Sequence, residues 1–156
     1  MRRPRYPLEP LVELREQKVE EAAVGLAGAV HRRERAEQER KAAESARAAH
    51  DAASLRVRQG EGEALSRGEL RAGDLASADA WEARVTAERA TMSTAVDRAR
   101  ATEDNARATE HAARGEVAAR QADAKAVARG RARWADEQRK QSEAKEEEAA
   151  SETWRP

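Results

Sequence analysis

The chain has 156 residues, 38% of them charged, with thirty Lys/Arg balanced by thirty Asp/Glu. Of its 61 residues in the AVILMFWYC set 38 are alanine, which leaves 23 larger apolar side chains, too few for a globular core. Having no cysteine, the chain also lacks a disulfide framework, a Cys-based zinc site and a thiol nucleophile.

Leu, Ile, Val and Phe together make only about 11% of the chain, a level at which disorder is the default, but the balanced charge gives no net repulsion to hold the chain open. Ala, Glu, Lys, Leu and Arg instead sum to about 63%, the composition of long helices and coiled coils. The longest stretch free of ionisable residues is Ala22–Val30, far short of the roughly 20 residues that a membrane span needs. Glu9, Glu13, Glu16, Glu20 and Glu21 interrupt any apolar region that a signal peptide would require, so a cytoplasmic protein without direct membrane insertion is expected.

Pro4, Pro7 and Pro10 all fall in the first ten residues, and Pro10 suits a first helical turn, where its missing N–H costs nothing. Helix one is expected over about residues 10–58, roughly 70 Å long. Gly60, Gly62, Gly68 and Gly73 cluster near the only credible break, read as a turn over about 59–68. Ser66 with Glu69 has capping-box spacing and Asp74 is a second possible cap; a start near Ser66 is favoured, giving helix two over about 69–150. The fold class expected is all-α, a long two-helix antiparallel coiled-coil hairpin with a longer, projecting C-terminal helix, the whole of 1–156 forming a single stalk.

Heptads support this. Ala78, Val85, Met92, Ala99, Ala106, Ala113, Arg120, Val127 and Trp134 follow one another at intervals of seven, with Val96, Val117 and Ala124 on the companion row. Ala22, Ala29, Ala36, Ala43, His50 and Val57 form a matching row in helix one, with Val12, Val19 and Leu26 beside it. The segment 99–103, Ala-Arg-Ala-Thr-Glu, recurs at 106–110. Exposed faces are expected to carry the i, i+4 pairs Glu37–Lys41, Glu103–Arg107, Glu110–Arg114 and Glu116–Arg120. A turn centred near residue 66 would set position i opposite roughly 133 minus i, placing Leu11 against about 121 or 122 and leaving about 30 residues of helix two projecting.

No catalytic constellation is present. His31, His50 and His111 lack metal-ligand spacing, Gly60-Glu-Gly62 lacks the strand and further glycine of a phosphate loop, and Glu146–Glu148 reads as a solvated helix end. No cofactor, metal or enzymatic activity is expected. Arg2, Arg3 and Arg5 and the group Arg32, Arg33, Arg35, Arg40, Lys41 raise nucleic acid as a partner, but Glu34, Glu37 and Glu39 interleave the second group and would spoil phosphate neutralisation.

The large apolar residues are unevenly placed. Eight of the 17 Leu and Val lie between Leu8 and Val30, and Leu8, Leu11, Val12 and Leu14 are too crowded to face one helix. Trp134 either caps the seam or, with Trp154, awaits another protein, since Trp is enriched in binding hot spots. Leu65, Leu70, Leu75 and Trp81 enrich the turn region in the same way.

The opening Tyr6-Pro-Leu-Glu-Pro-Leu-Val-Glu-Leu-Arg-Glu16, the long Ala/Arg/Glu helices and the tail Glu152-Thr-Trp-Arg-Pro156 resemble the FliJ-like stalk proteins of flagellar and type III secretion export machines. That resemblance implies a non-enzymatic cytoplasmic rod, peripheral to the inner-membrane export apparatus. Its joined terminal end would enter the pore of a hexameric export ATPase, and its other end would reach the cytoplasmic domain of the export gate, with export chaperones as further partners. Carried over, Leu8, Leu11, Leu14, Arg15 and Trp134 would meet the ATPase ring, and Leu70, Leu75 and Trp81 the gate. A general coiled-coil scaffold or spacer is the main alternative, expected to pair in parallel with a second chain; a largely unfolded hydrophilin is a third.

Overall fold

The computed structural model describes residues 4–154, which hold two helices, α1 (Glu9–Ser66) and α2 (Ala72–Thr153), and no strand. The fold is all-α, and its two helices pair antiparallel. The carbonyl of Leu8 accepts from the N–H groups of Leu11 (2.9 Å) and Val12 (3.2 Å) to open α1, with Pro10 in the first turn, where no amide donor is needed.

The turn lies further along than 59–68. Gly60 and Gly62 are inside α1, and Gly68, at φ 69°, ends it. Gly68 N–H donates to Leu65 O and Glu69 N–H to Ala64 O, both at 3.0 Å, the crossed pair of a Schellman motif that requires one left-handed residue. A helical glycine costs only about 1 kcal/mol, which the strong helix formers around Gly60 and Gly62 offset. The second helix starts at Ala72 rather than near Ser66. Asp74 accepts from the Arg71 N–H at 2.8 Å while the Arg71 carbonyl accepts from Asp74 and Leu75, so Asp74 supplies the reaching-back half of a capping box. Ser66 belongs to α1, its hydroxyl donating to Glu63 O.

Two compact units are formed, one of residues Ala29–Glu110 and one of the residues up to Gly28 with those from His111 onward. In the first, Arg33 pairs with Glu110 (2.9 Å), Glu44 with Arg100 (2.8 Å), Asp51 with Arg89 (2.9 Å) and Arg58 with Glu82 (2.6 Å). In the second, Glu9 pairs with Arg131 (2.8 Å) and Arg15 with Asp123 (3.1 Å). These pairs set position i opposite about 140 minus i, not 133 minus i, because the turn is later; Leu11 thus lies at the level of about residue 129 instead of 121 or 122.

Every residue of the heptad row Ala78 to Trp134 is at least half-buried, as are Val96, Val117 and Ala124. On α1, Val12, Ala29 and Ala36 are buried and Ala22, Ala43 and His50 half-buried, whereas Val57 is exposed beside the turn. Val96, 1% exposed, is the largest fully buried side chain among the described residues. The seam is thin because alanine buries far less than the 1.5–3 kcal/mol worth of a Val or Leu. From Arg139 to Trp154 all residues are exposed, so the unpaired end of α2 is shorter than expected from the earlier register.

Candidate binding surfaces and the polar seam

In the unit that contains the start of α1, Leu8 and Leu14 are 51% and 48% exposed, while Leu11 is half-buried, so the crowded leucines divide between solvent and the α2 side. Arg15 is tied to Asp123, and its Nε is buried without a hydrogen-bond partner. Trp134 ends its heptad row and packs on Tyr6, with ring centroids 5.6 Å apart and planes tilted by 56°. Such a tilted pair is worth about 0.5–1.5 kcal/mol beyond its buried area. A Cβ at Gly130, one turn before Trp134, would meet the Tyr6 hydroxyl at 3.3 Å, so this glycine makes room for the phenol.

Tyr6 thus joins Trp134 as a feature of this end, and the sequence reading gave it no role. A register of 133 minus i sets Tyr6 beside residue 127, a full heptad short of its partner; the Tyr6–Trp134 contact becomes visible only with the turn at Gly68. Trp154 has no such cover and is 88% exposed. Arg2 and Arg3 of the opening basic group, with Arg155 and Pro156 of the tail, lie outside the described residues.

In the other unit, Leu70 sits in the turn, half-buried, Leu75 is 48% exposed on the first turn of α2, and Trp81 is half-buried two turns further on. Leu65 is exposed beside them. The structure therefore keeps Leu8, Leu11, Leu14, Arg15 and Trp134 in one unit, and Leu70, Leu75 and Trp81 in the other.

Two carboxylates expected on exposed faces are inside the seam. Glu103 is 3% and Glu110 6% exposed, and both continue the row of Val96 toward Val117 at intervals of seven. The facing row of α1 carries Arg33 and Arg40 where helix one has no Leu or Val. Arg33 Nε donates to Glu110, and Arg40 Nε to Glu103, making two adjacent polar layers. Further pairs surround them: Arg33–Glu37 at 2.9 Å, Arg40–Glu44 at 2.6 Å and Arg107–Glu103 at 2.5 Å.

Electrostatics follow from this packing. Burial pushes the Glu103 carboxyl up, but hydrogen bonds from Arg40 and Arg107 outweigh it and hold the group below its usual range. The hydrogen bond to Glu110 raises the Arg33 guanidinium above its already high value, and that to Glu103 does the same for Arg40. Of the exposed pairs expected, Glu37–Lys41 forms at 2.7 Å and Glu116–Arg120 at 3.5 Å.

Among the described residues no cluster of three or more His, Cys, Asp or Glu is placed to hold a metal, and no helix is long and apolar enough to cross a membrane. A model of the YscO-like protein family matches residues 3–153, nearly the whole chain. The chain belongs to the YscO-like family. It is a type III secretion-associated family, in keeping with the resemblance to export stalk proteins. No curated protein and no solved structure matches this YscO-like chain.

Proposed function

We propose that this YscO-like protein is the central stalk of a type III protein export apparatus, entering a hexameric export ATPase with the end that carries Leu8, Leu14 and Trp134. The family match over residues 3–153 carries this reading. The antiparallel pairing of α1 with α2 supports it, because a two-helix end with apolar and aromatic residues near the chain termini suits a ring pore. Inside a six-fold ring such a stalk meets non-equivalent subunits and biases their conformations by differential contact. The stretch with Leu70, Leu75 and Trp81 would face the export gate, with the protein acting in the cytoplasm at the inner-membrane apparatus. Export chaperones would be further partners, and no cofactor or nucleic acid enters this role.

Two exposed positions give the cleanest test. Leu8→Asp or Leu14→Asp should reduce stimulation of the cognate ATPase at least about tenfold, some 1.4 kcal/mol of lost interaction, with unchanged helicity by circular dichroism. Leu11→Asp should also abolish stimulation, although its half-burial makes the helicity control essential. Full stimulation by both exposed variants would remove the ring assignment. The scaffold alternative expects a parallel partner chain; spin labels at residues 22 and 118 of one chain should be close in a dilute monomer if the hairpin is the working state, and far apart if it is not.

A further inference from the structure

The polar layers repeat. Arg33, Arg40 and Arg47 stand seven residues apart on one row of α1, and each has an acid four residues on: Glu37 at 2.9 Å, Glu44 at 2.6 Å and Asp51 at 3.9 Å. The facing row of α2 carries Val96, Glu103 and Glu110 at the same spacing, the two glutamates closing the tandem Ala-Arg-Ala-Thr-Glu segments. Three arginines therefore face two glutamates and a valine. Arg33 holds Glu110 and Arg40 holds Glu103, while Arg47 lies with Val96 on an open groove that Asp51 and Arg100 also line. Among the described residues the only acid paired with Arg47 is Asp51, on its own helix.

We propose that α1 and α2 of this unit have a second pairing register, displaced by one heptad, in which Arg40 takes Glu110 and Arg47 takes Glu103. Most displacements of a helix pair are forbidden because they turn the seam rows apart or strand a buried charge. This one does neither. Both buried carboxylates keep an arginine, and Arg100, now bonded to Glu44, meets Asp51 one heptad on. On the other seam row Ala36 now faces Ala106 and Ala43 faces Ala99, and one heptad on Ala43 meets Ala106 and Ala36 meets Ala113, so alanine replaces alanine at these layers. Val96 moves from Arg47 to the level of Ser54 and Ala99 from Ala43 to the level of His50, and the cross-helix pairs Arg89–Asp51, Arg58–Glu82 and His50–Glu88 nearer the turn are given up. Displacement in the opposite sense carries Glu110 beyond Arg33, the last arginine of the row, and is excluded by the same argument.

The turn is built to absorb the change. Leu55, Leu65 and Leu75 are exposed and Leu70 and Trp81 only half-buried, so recentring the turn by three or four residues gives up a limited buried area. Gly73, with nothing within 4 Å of a Cβ built on it, offers a second place for a left-handed residue. One heptad corresponds to a sliding of about 10 Å at 1.5 Å per residue.

Because the chain has no cysteine, engineered pairs report each register directly. In the full chain, Ala36→Cys with Ala106→Cys reads the present register, Ala43→Cys with Ala106→Cys the displaced one, and Ala29→Cys with Ala106→Cys the opposite displacement. Intramolecular cross-linking is followed under mild oxidant at low protein concentration. The 36/106 pair should close fastest, and the 43/106 pair at least about tenfold faster than 29/106. Arg47→Leu should bring 43/106 down to the rate of 29/106 and leave 36/106 unchanged. Equal rates for 43/106 and 29/106 overturn the proposal, and so does indifference of 43/106 to Arg47→Leu. Circular dichroism of every variant, with Arg47→Gln as a second replacement, separates a folding defect from loss of the second register.

Discussion

Glu103 shows how much a single position decides. Its carboxylate is nearly water-free, and its low pKa depends on Arg40 and Arg107 being in place. Glu103→Leu alone leaves Arg40 charged in the seam without its cross-helix partner, so the thermal midpoint followed by circular dichroism should fall. Adding Arg40→Leu should recover most of that loss or exceed it, since a packed apolar pair often replaces a buried ion pair without penalty. If the double variant is less stable than the single one, the layer contributes through more than its charges. Neither Glu103 nor Glu110 was legible as a seam residue, because a Glu four residues before an Arg fits an exposed helix pair equally well. The phase that runs Val96, Glu103, Glu110, Val117 was the signal available.

At the scale of the helices, the glycines separate by environment. Gly115 and Gly25 lie inside helices with nothing within 4 Å of an added Cβ, so Gly115→Ala and Gly25→Ala should each stabilise by about 1 kcal/mol in urea unfolding. Gly68→Ala should destabilise by roughly 1–2 kcal/mol, because its φ of 69° is costly for any residue with a Cβ. Gly130→Ala should gain less than Gly115→Ala, since its methyl group crowds Tyr6. Tyrosine-to-tryptophan contact can be read from Trp134 fluorescence with Trp81 and Trp154 replaced by Phe. The sequence pattern could place a break near residues 59–74 from glycine density alone, but choosing Gly68 needed the crossed hydrogen bonds to Leu65 and Ala64.

For the molecule as a whole, ion pairs make stability depend on pH. Hydrogen bonds from Lys41, Arg100, Arg89 and Arg58 hold Glu37, Glu44, Asp51 and Glu82 below their usual range, and Glu103 is lowered as well. A carboxylate with a lowered folded pKa contributes stability that is present above its unfolded value, near 4 for Asp and Glu, and is lost as pH falls through the folded value. Thermal midpoints should therefore be nearly level between about pH 5 and 7 and drop steeply below about pH 4. In Glu103→Gln the acid-induced drop should be shallower, and an unchanged acid profile in that variant would argue against the pairing of Glu103. Salt at 1 M should weaken exposed pairs such as Arg58–Glu82 more than the two seam layers, because the Debye length shrinks to about 3 Å.

By itself the sequence determined that this chain is helical, that its helices pair along heptads and that the heavy apolar residues gather away from the alanine stretch. These properties are local: helix propensity and the seven-residue rows are read within a few turns of one helix. Tertiary structure alone decided the register, and with it the partners of Arg33 and Arg40, the burial of Glu103 and Glu110, and the meeting of Tyr6 with Trp134. An alanine seam looks the same after every heptad, so local pattern cannot choose among its registers. Where the turn closes, and which long-range charges meet as it does, makes that choice.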